Sequence, residues 1–436
     1  MQVFDFHLHS KYSRACSKQL DLEHIQTWCA IKGIDIIGTS DFTHPAWHKE
    51  LKSKLEPIGN GLYRLRPSDL VTRAAQEVGF APPTRDGQQE PVFFLSTELS
   101  CIYSQGGKVR RVHLLVAFPE LAHVDALIKA LETRGGKLAS DGRPILGMSA
   151  KDIAGMCLEI SPKALIVPAH AWTPWFAVFG SKSGFDSVEE CFGEYAPYIY
   201  ALETGLSSDP GMNGRLSQND RFVLVSNSDA HSLENLGREA NVLNLQTVSY
   251  DGIYDTLKNH DIGSFAYTIE FFPEEGKYHL DGHAPCAFSC EPEETKRLNG
   301  ICPKCGKRIT VGVYHRVASL ADRPAGSIPP QQIPYKSIVP LAEIIADAHG
   351  AKKTTKKVQA VYRQLIGAVG HEFYTLLEAP LDDIRKAAGP TIAEGIARMR
   401  AGKLTIKPGY DGVYGTVSVF SADERNGGKA VQASLL

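Results

Sequence analysis

Over the first 270 residues, short runs of β-branched and apolar side chains end abruptly in polar ones: 3–6, 35–38, 92–95, 112–118, 164–168, 198–202 and 222–225. Continuous apolar runs of this length predict strands buried on both faces of a parallel sheet. Helical periodicity fills several of the gaps, at 22–32, 124–133 and 150–159. Seven strands with interposed helices predict an α/β fold, a seven-stranded (β/α) barrel, with an open doubly wound sheet as the other solution. Residues 52–91 carry Gly-Asn-Gly, Pro-Pro and Asp-Gly turns and read as an insertion around one helix at 67–78.

The pattern changes after residue 275. Short strands surround a cysteine cluster over 276–325, and the proline-rich stretch 323–334 reads as a stiff linker. Helical periods follow at 341–348, 357–368, 381–388 and 391–401, and the last dozen residues read as frayed. Three domains are therefore expected: 1–275, 276–325 and a helical 326–436.

Composition narrows the classes. With 436 residues, 43% hydrophobic and 22% charged, the chain is neither a disordered, collagen-like nor disulfide-scaffold protein. No uncharged apolar run reaches the roughly 18 residues of a membrane helix, and no signal-peptide pattern precedes Val3. A cytoplasmic, nucleoid-associated protein with no membrane partner is expected. Charge is uneven: 22 Lys and Arg stand against 15 Asp and Glu from residue 276 onward, and 25 against 34 before it. A basic C-terminal part suits a polyanion, and carboxylates in the acidic part suit metal binding.

Candidate ligands fall where strands end. His7-Leu8-His9 follows the first run, and at a period of two both imidazoles face one side. Asp229-Ala230-His231 repeats the arrangement after the seventh run, and Asp41, Glu98, His113 and His170 lie at the ends of others. One tetrahedral ion needs fewer donors, so the set suits two or three ions of the Zn, Mn or Fe type. Each residue alone has a plain reading as a buried histidine or a cap; the joint occurrence carries the expectation. Glu203 reads as a weaker candidate whose ordinary job is salt bridging. His24, His48 and His123 read as surface residues.

The pairs Cys286-x3-Cys290 and Cys302-x2-Cys305 can wrap four thiolates around one structural zinc, with Gly306 easing the turn. Lys352–Lys357 and the single glycine Gly389 between two helices could contact a phosphate backbone, and a solvated helix start or a plain helical hairpin explains them as well. Trp172, Trp175 and Phe179, with Ser181, Lys182 and Ser183, form an aromatic and polar loop that could receive an extruded base; a hydrophobic lid is the other reading. Lys108, Arg110 and Arg111 could steady a phosphodiester.

The His7-Leu8-His9-Ser10, Thr39-Ser40-Asp41, Glu98, His113, His170 and Asp229-Ala230-His231 set resembles the PHP (polymerase and histidinol phosphatase) phosphoesterases over residues 1–270. Ser13-Arg14-Ala15 departs from members with a third His or Asp there, as does Asp41-Phe42 from those reading Asp-His; His44 lies two residues further on. With the 38–47 and 170–185 segments, the cysteine pairs and the 406–412 segment, the chain resembles the endonuclease Q branch over nearly its whole length. That resemblance implies a PHP barrel and two or three divalent ions, Zn, Mn or Mg. It implies cleavage of damaged DNA 5′ to a deaminated base (uracil, hypoxanthine, xanthine) or an abasic site, leaving 3′-hydroxyl and 5′-phosphate. Asp229 is the expected catalytic residue, and a sliding clamp is a candidate partner. The alternatives are a PHP-type phosphatase acting on a small phosphomonoester and a non-catalytic, metal-stabilised DNA-binding module.

Overall fold

A computed structural model describes residues 1–79, 90–421 and 424. The end expected to fray, and the Pro-Pro and Asp-Gly turns expected in the insertion, lie outside the described residues. All seven expected strands are present: Gln2–Asp5, Ile36–Gly38, Val92–Phe94 running into Ser96–Gln105, Lys108–Ala117, Leu165–Pro168, Ala201–Glu203 and Val223–Val225. Each contributes to one apolar cluster that includes Phe4, Ile36, Phe94, Leu115, Val167, Ala201 and Val223. Residues one step out of phase, such as Ile37, Leu114, Val116, Ile166 and Leu202, pack into a second, larger cluster with the helices. Two apolar faces explain why these strands read as continuous runs.

The strands are not uniformly parallel. Ser96–Gln105 pairs antiparallel with Lys108–Ala117, which pairs antiparallel with Leu165–Pro168. The cause is the connection: Gly106 and Gly107, both at positive φ, close a two-residue hairpin, too short for a parallel crossover. The ladders divide among an eight-stranded, a four-stranded and several two-stranded sheets. Contacts that join them include the Leu8–Ala230 bridge and the Ala171 amide donating to the Glu203 carbonyl at 2.9 Å.

The helices start and stop close to the expected positions. Leu22–Lys32 begins at Asp21, whose carboxylate accepts from the His24 amide, and ends on Gly33 at φ 89°. His24, expected at the surface, is buried against Asp21 and Glu77. The C-terminal helices are Leu341–Ala348, Lys356–Ala368, Glu372–Leu377, Leu381–Ala388 and Pro390–Arg400. Among the described residues no helix is long and apolar enough to cross a membrane.

The proline-rich stretch is seated rather than free. Arg323 forks onto Asp220 at 2.7 and 2.5 Å, and Tyr335–Ser337 joins the edge of the eight-stranded sheet beside Phe265–Glu270. The strand pair Thr405–Lys407 and Thr416–Ser418 was not anticipated; its loop bonds back to 274–280, the Gly409 amide donating to the Glu274 carbonyl at 2.8 Å.

The C-terminal helices dock on Leu22–Lys32 through a buried ion pair. Lys32 Nζ lies 2.7 Å from Glu372 Oε2, and Glu372 also accepts from Tyr362 Oη at 2.6 Å and the Leu341 amide at 3.0 Å. Glu372→Leu would strand a buried ammonium and the Leu341 amide, so we expect a loss of about 3–5 kcal/mol, read as a lowered urea midpoint.

Candidate functional site

Glu98 is the hub. In the antiparallel register Ser100 faces His113, so Glu98, Ser100 and His113 share one side of the hairpin. Glu98 Oε1 lies 2.6 Å from His113 Nδ1 and 3.2 Å from His170 Nε2. Its Oε2 lies 3.4 Å from His7 Nε2 and 3.2 Å from His9 Nε2. Asp229 Oδ1 completes the second side, 3.1 Å from His9 Nε2 and 3.5 Å from His7 Nε2. Two donor groups result, His7–His9–Glu98–Asp229 and Glu98–His113–His170, sharing one carboxylate.

These groups fit divalent ions. His7 Nε2 is buried without a hydrogen-bond partner, while its Nδ1 lies 2.9 Å from Glu203 Oε1. A proton on Nδ1 donated to Glu203 leaves the Nε2 lone pair facing the cluster, the usual carboxylate–histidine–metal arrangement. Glu203 also accepts from the His170 amide at 2.7 Å and from Asn227 at 2.8 Å. The salt-bridging role read from the sequence is thus an orienting one.

Asp41 and His231 stand apart from both groups. Asp41 accepts from Ser10 N, Ser10 Oγ and Ser13 Oγ at 2.7, 2.6 and 2.8 Å and lies 3.3 Å from His9 Nδ1. It holds His9 as Glu203 holds His7. His231 points Nδ1 back to the Asp229 carbonyl at 2.9 Å, and its ring lies beside that of His9. His44 stacks on Tyr12.

Burial raises the carboxyl pKa of Glu98, but Arg143, His113 and His7 outweigh it and hold the group well below its usual range. Burial likewise yields to His7 and His9 at Asp229, which is lowered. Burial holds His113 down at about 4, neutral and free to ligate. At His7 and His9 burial opposes the proton, but the surrounding carboxylates raise both pKa values; a divalent ion must displace those protons, so uptake weakens in acid. Arg143, which the sequence reading missed for want of a local motif, bonds Glu98 Oε2 through Nη1 at 2.9 Å.

The cysteine cluster gathers a different fourth ligand. His283, Cys286, Cys302 and Cys305 converge, with Cys305 Sγ 3.5 Å from His283 Nδ1. Cys290 stands outside the group, its Sγ 3.2 Å from Thr295 Oγ1. Hairpin register is the reason: His283 pairs with Phe288 near the turn carrying Cys286, while Cys290 pairs two residues further away with Asp281. Three sulfurs and one imidazole fit a tetrahedral structural zinc.

The expected DNA-contacting residues divide. Trp172 and Phe179 are fully buried and pack together at 4.7 Å, with Trp172 Nε1 donating to Asn213 at 2.8 Å; they belong to the core. Arg110 lies over the Phe185 ring at 4.0 Å and donates to the Gly184 carbonyl. Arg111 lies over Phe176, and its amide donates to the carbonyl of buried Ser183. Both clasp the 172–186 loop, as does Arg316, which donates to the Phe179 and Phe185 carbonyls at 2.9 Å. Lys108, Ser181 and Lys182 are exposed. Trp175 is exposed, edge-on to Tyr278 at 5.7 Å. Gly389, at φ 89° and ψ 170°, joins Leu381–Ala388 directly to Pro390–Arg400, a conformation open essentially to glycine alone.

Comparison with known proteins places this geometry. A crystal structure of endonuclease Q in complex with a 27-mer duplex carrying an abasic lesion at the active site is 31% identical, with TM-score 0.80, over 96% of this chain and 97% of that one. The chain belongs to the endonuclease Q family. A second endonuclease Q structure, the lesion-specific endonuclease of Pyrococcus furiosus, is 29% identical with TM-score 0.81, covering 98% of each chain. Residues 340–403 match the MJ0043 C-terminal domain model. The uncharacterized protein MJ0043 of Methanocaldococcus jannaschii is 34% identical over 57% of this chain, which spans 31% of that protein's length. YqxK of Bacillus subtilis is 28% identical over 88% of this chain and 89% of its own.

Two expectations follow for this chain. His283→Ala releases zinc on purification whereas Cys290→Ser retains it, measured as zinc per chain. Glu203→Gln keeps the fold but weakens active-site metal affinity about 10–100-fold, read by metal titration.

Proposed function

We propose that this chain is a metal-dependent DNA-repair endonuclease that cuts the phosphodiester 5′ to a deaminated base or an abasic site, leaving 3′-hydroxyl and 5′-phosphate. The observation that carries this reading is the single Glu98 carboxylate joining two donor groups, in a chain alike end to end with a lesion-specific endonuclease and with an endonuclease Q held on an abasic duplex. His7, His9, Glu98 and Asp229 would hold one ion and Glu98, His113 and His170 the other. Ions bound there supply a water that ionises near neutral pH and charge that offsets the developing oxyanion. Glu203 and Asp41 fix the two leading imidazoles, so the donors need not reorganise when substrate arrives. Asp229, partly accessible at 25% of its side chain, would also orient the attacking water.

A lesion would fit beside this centre. A cavity of about 370 Å3 has Thr173, Trp175, Lys277, Tyr278, His279 and Tyr414 among its lining residues. Thr173 Oγ1 lies 3.1 Å from His170 Nδ1, so the cavity adjoins the second donor group. The Lys277 ammonium lies over the Tyr278 and Tyr414 rings at 5.6 and 5.8 Å. An extruded base could stack there, with Trp175 in the role read from the sequence and two tyrosines in place of Trp172 and Phe179.

End-labelled duplexes with one uracil, hypoxanthine, xanthine or abasic site test the reading. Wild type should cut 5′ of the lesion only when a divalent ion is supplied, and Asp229→Asn should slow the cut about 10²–10⁴-fold. Intact duplexes with rapid turnover of p-nitrophenyl phosphate would point instead to a monoesterase, and binding without cleavage to a non-catalytic module.

A further inference from the structure

We propose that Arg143 grips the scissile phosphate, moving its charge from Glu98 to the substrate. This rests on the nuclease reading above and names a residue that the sequence did not offer. The cations read as phosphate-steadying are occupied or remote: Arg110 and Arg111 clasp the 172–186 loop, and Lys108 is exposed at the hairpin tip. Arg143 is, among the described residues, the Arg or Lys whose side chain pairs with a carboxylate of either donor group. Its side chain is 28% exposed, whereas Glu98 beneath it is fully buried.

The segment that carries it is built to reach over the centre. A Cβ at Gly142 would collide with Asp41 Oδ2 and Ser13 Oγ, so only a glycine lets the backbone settle on the residues that hold His9. The next residue is then delivered to Glu98. The segment is pinned on both sides: the Gly142 amide donates to the Tyr12 carbonyl at 3.3 Å, and the Ser100 amide donates to the Pro144 carbonyl at 3.1 Å. Arg143 also lies within electrostatic reach of Asp229, His113 and His231, which places its charge over both donor groups.

Charge balance supplies the reason for movement. With no cation bound, Arg143 shares with the imidazoles in neutralising Glu98. Dications held by both donor groups would leave the centre with surplus positive charge and would repel a guanidinium beside it. An arriving phosphodiester restores the balance. One guanidinium edge rests on Glu98 through Nη1 alone, leaving N–H donors for a two-point contact with phosphate oxygens.

The test uses the full-length wild type, Arg143→Ala and Arg143→Lys. Affinity is measured with an abasic duplex whose scissile 3′-oxygen is replaced by methylene, and with the same duplex carrying a neutral methylphosphonate at that phosphate. Arg143→Ala should bind the charged duplex about 10–100-fold more weakly, with unchanged active-site metal per chain, and Arg143→Lys should fall between. Neutralising the phosphate should weaken wild type by a similar factor and leave Arg143→Ala almost unaffected. Equal affinity of wild type and Arg143→Ala, equal sensitivity of both to the methylphosphonate, or metal loss that accounts for the defect would overturn the assignment. Cleavage of an unmodified abasic duplex by wild type, run in parallel, separates that failure from failure of the nuclease reading, which would take this inference with it.

Discussion

One carboxylate must serve two donor groups, and the site is arranged around that requirement. A fully buried Glu98 is costly to ionise unless compensated, and the compensation comes from imidazoles on the chain at 7, 9, 113 and 170 together with Arg143. These positions can converge only because the strands share one apolar cluster and end at one rim. The backbone yields where it must: Ser40, Asp41, His170 and Asp229 all adopt positive φ, a conformation that costs non-glycine residues free energy and persists only when surrounding contacts impose it. Four such residues at strand ends around one centre show stability of the local chain given up for placement of side chains.

Beneath the donors lies a polar layer that decides which nitrogen faces the centre. Glu203 receives three donors from three segments, namely His7, the His170 amide and Asn227. It therefore ties the first, fifth and seventh strand ends as well as setting the His7 tautomer. Asp41 does the same for His9 with two serine hydroxyls. Above the donors, the 172–186 loop is clasped by arginines from the 108–117 strand and from Val313–Leu320. The cysteine-rich region thus reaches the 172–186 loop through Arg316, apart from the His283, Cys286, Cys302 and Cys305 group.

Much of this was legible in the sequence because burial leaves a pattern. Each expected strand and helix appears within a few residues of its place, since a strand apolar on both faces or a helix with Asp21 before it and Gly33 after it is marked locally. The donors in the two groups were all identifiable as polar residues interrupting apolar runs. What the sequence concealed was pairing. Gly106-Gly107 marks a turn, yet not that 108–111 extends the following strand antiparallel to its neighbour. Cys290 has the spacing of a ligand, and only hairpin register removes it in favour of His283. Trp172 and Phe179 carry the same aromatic signature as Trp175, and solvent access alone separates them. Arg143 sits in no apolar run and follows no motif; the close approach of Gly142 to Asp41 brings it in.

Sharing Glu98 has a consequence for loading. Each donor group taken without Glu98 keeps only neutral imidazoles and, on one side, Asp229, so neither retains the charge that holds a divalent ion firmly. The carboxylate can bridge only if its two oxygens face opposite ways, and the contacts of Oε1 with His113 and His170 and of Oε2 with His7 and His9 fix that orientation in advance. Were two ions to bind, the first would fix the carboxylate further and the second would find its donor already oriented, which lowers the ordering cost of the second event. Against this runs the Coulomb repulsion between two dications, which a low-dielectric setting strengthens. Fully buried Glu98 and partly accessible Asp229 place that repulsion at the boundary between protein and solvent, where an anionic phosphate can approach from the open side. The same arrangement that makes the centre costly to fill therefore makes it attractive to a phosphodiester.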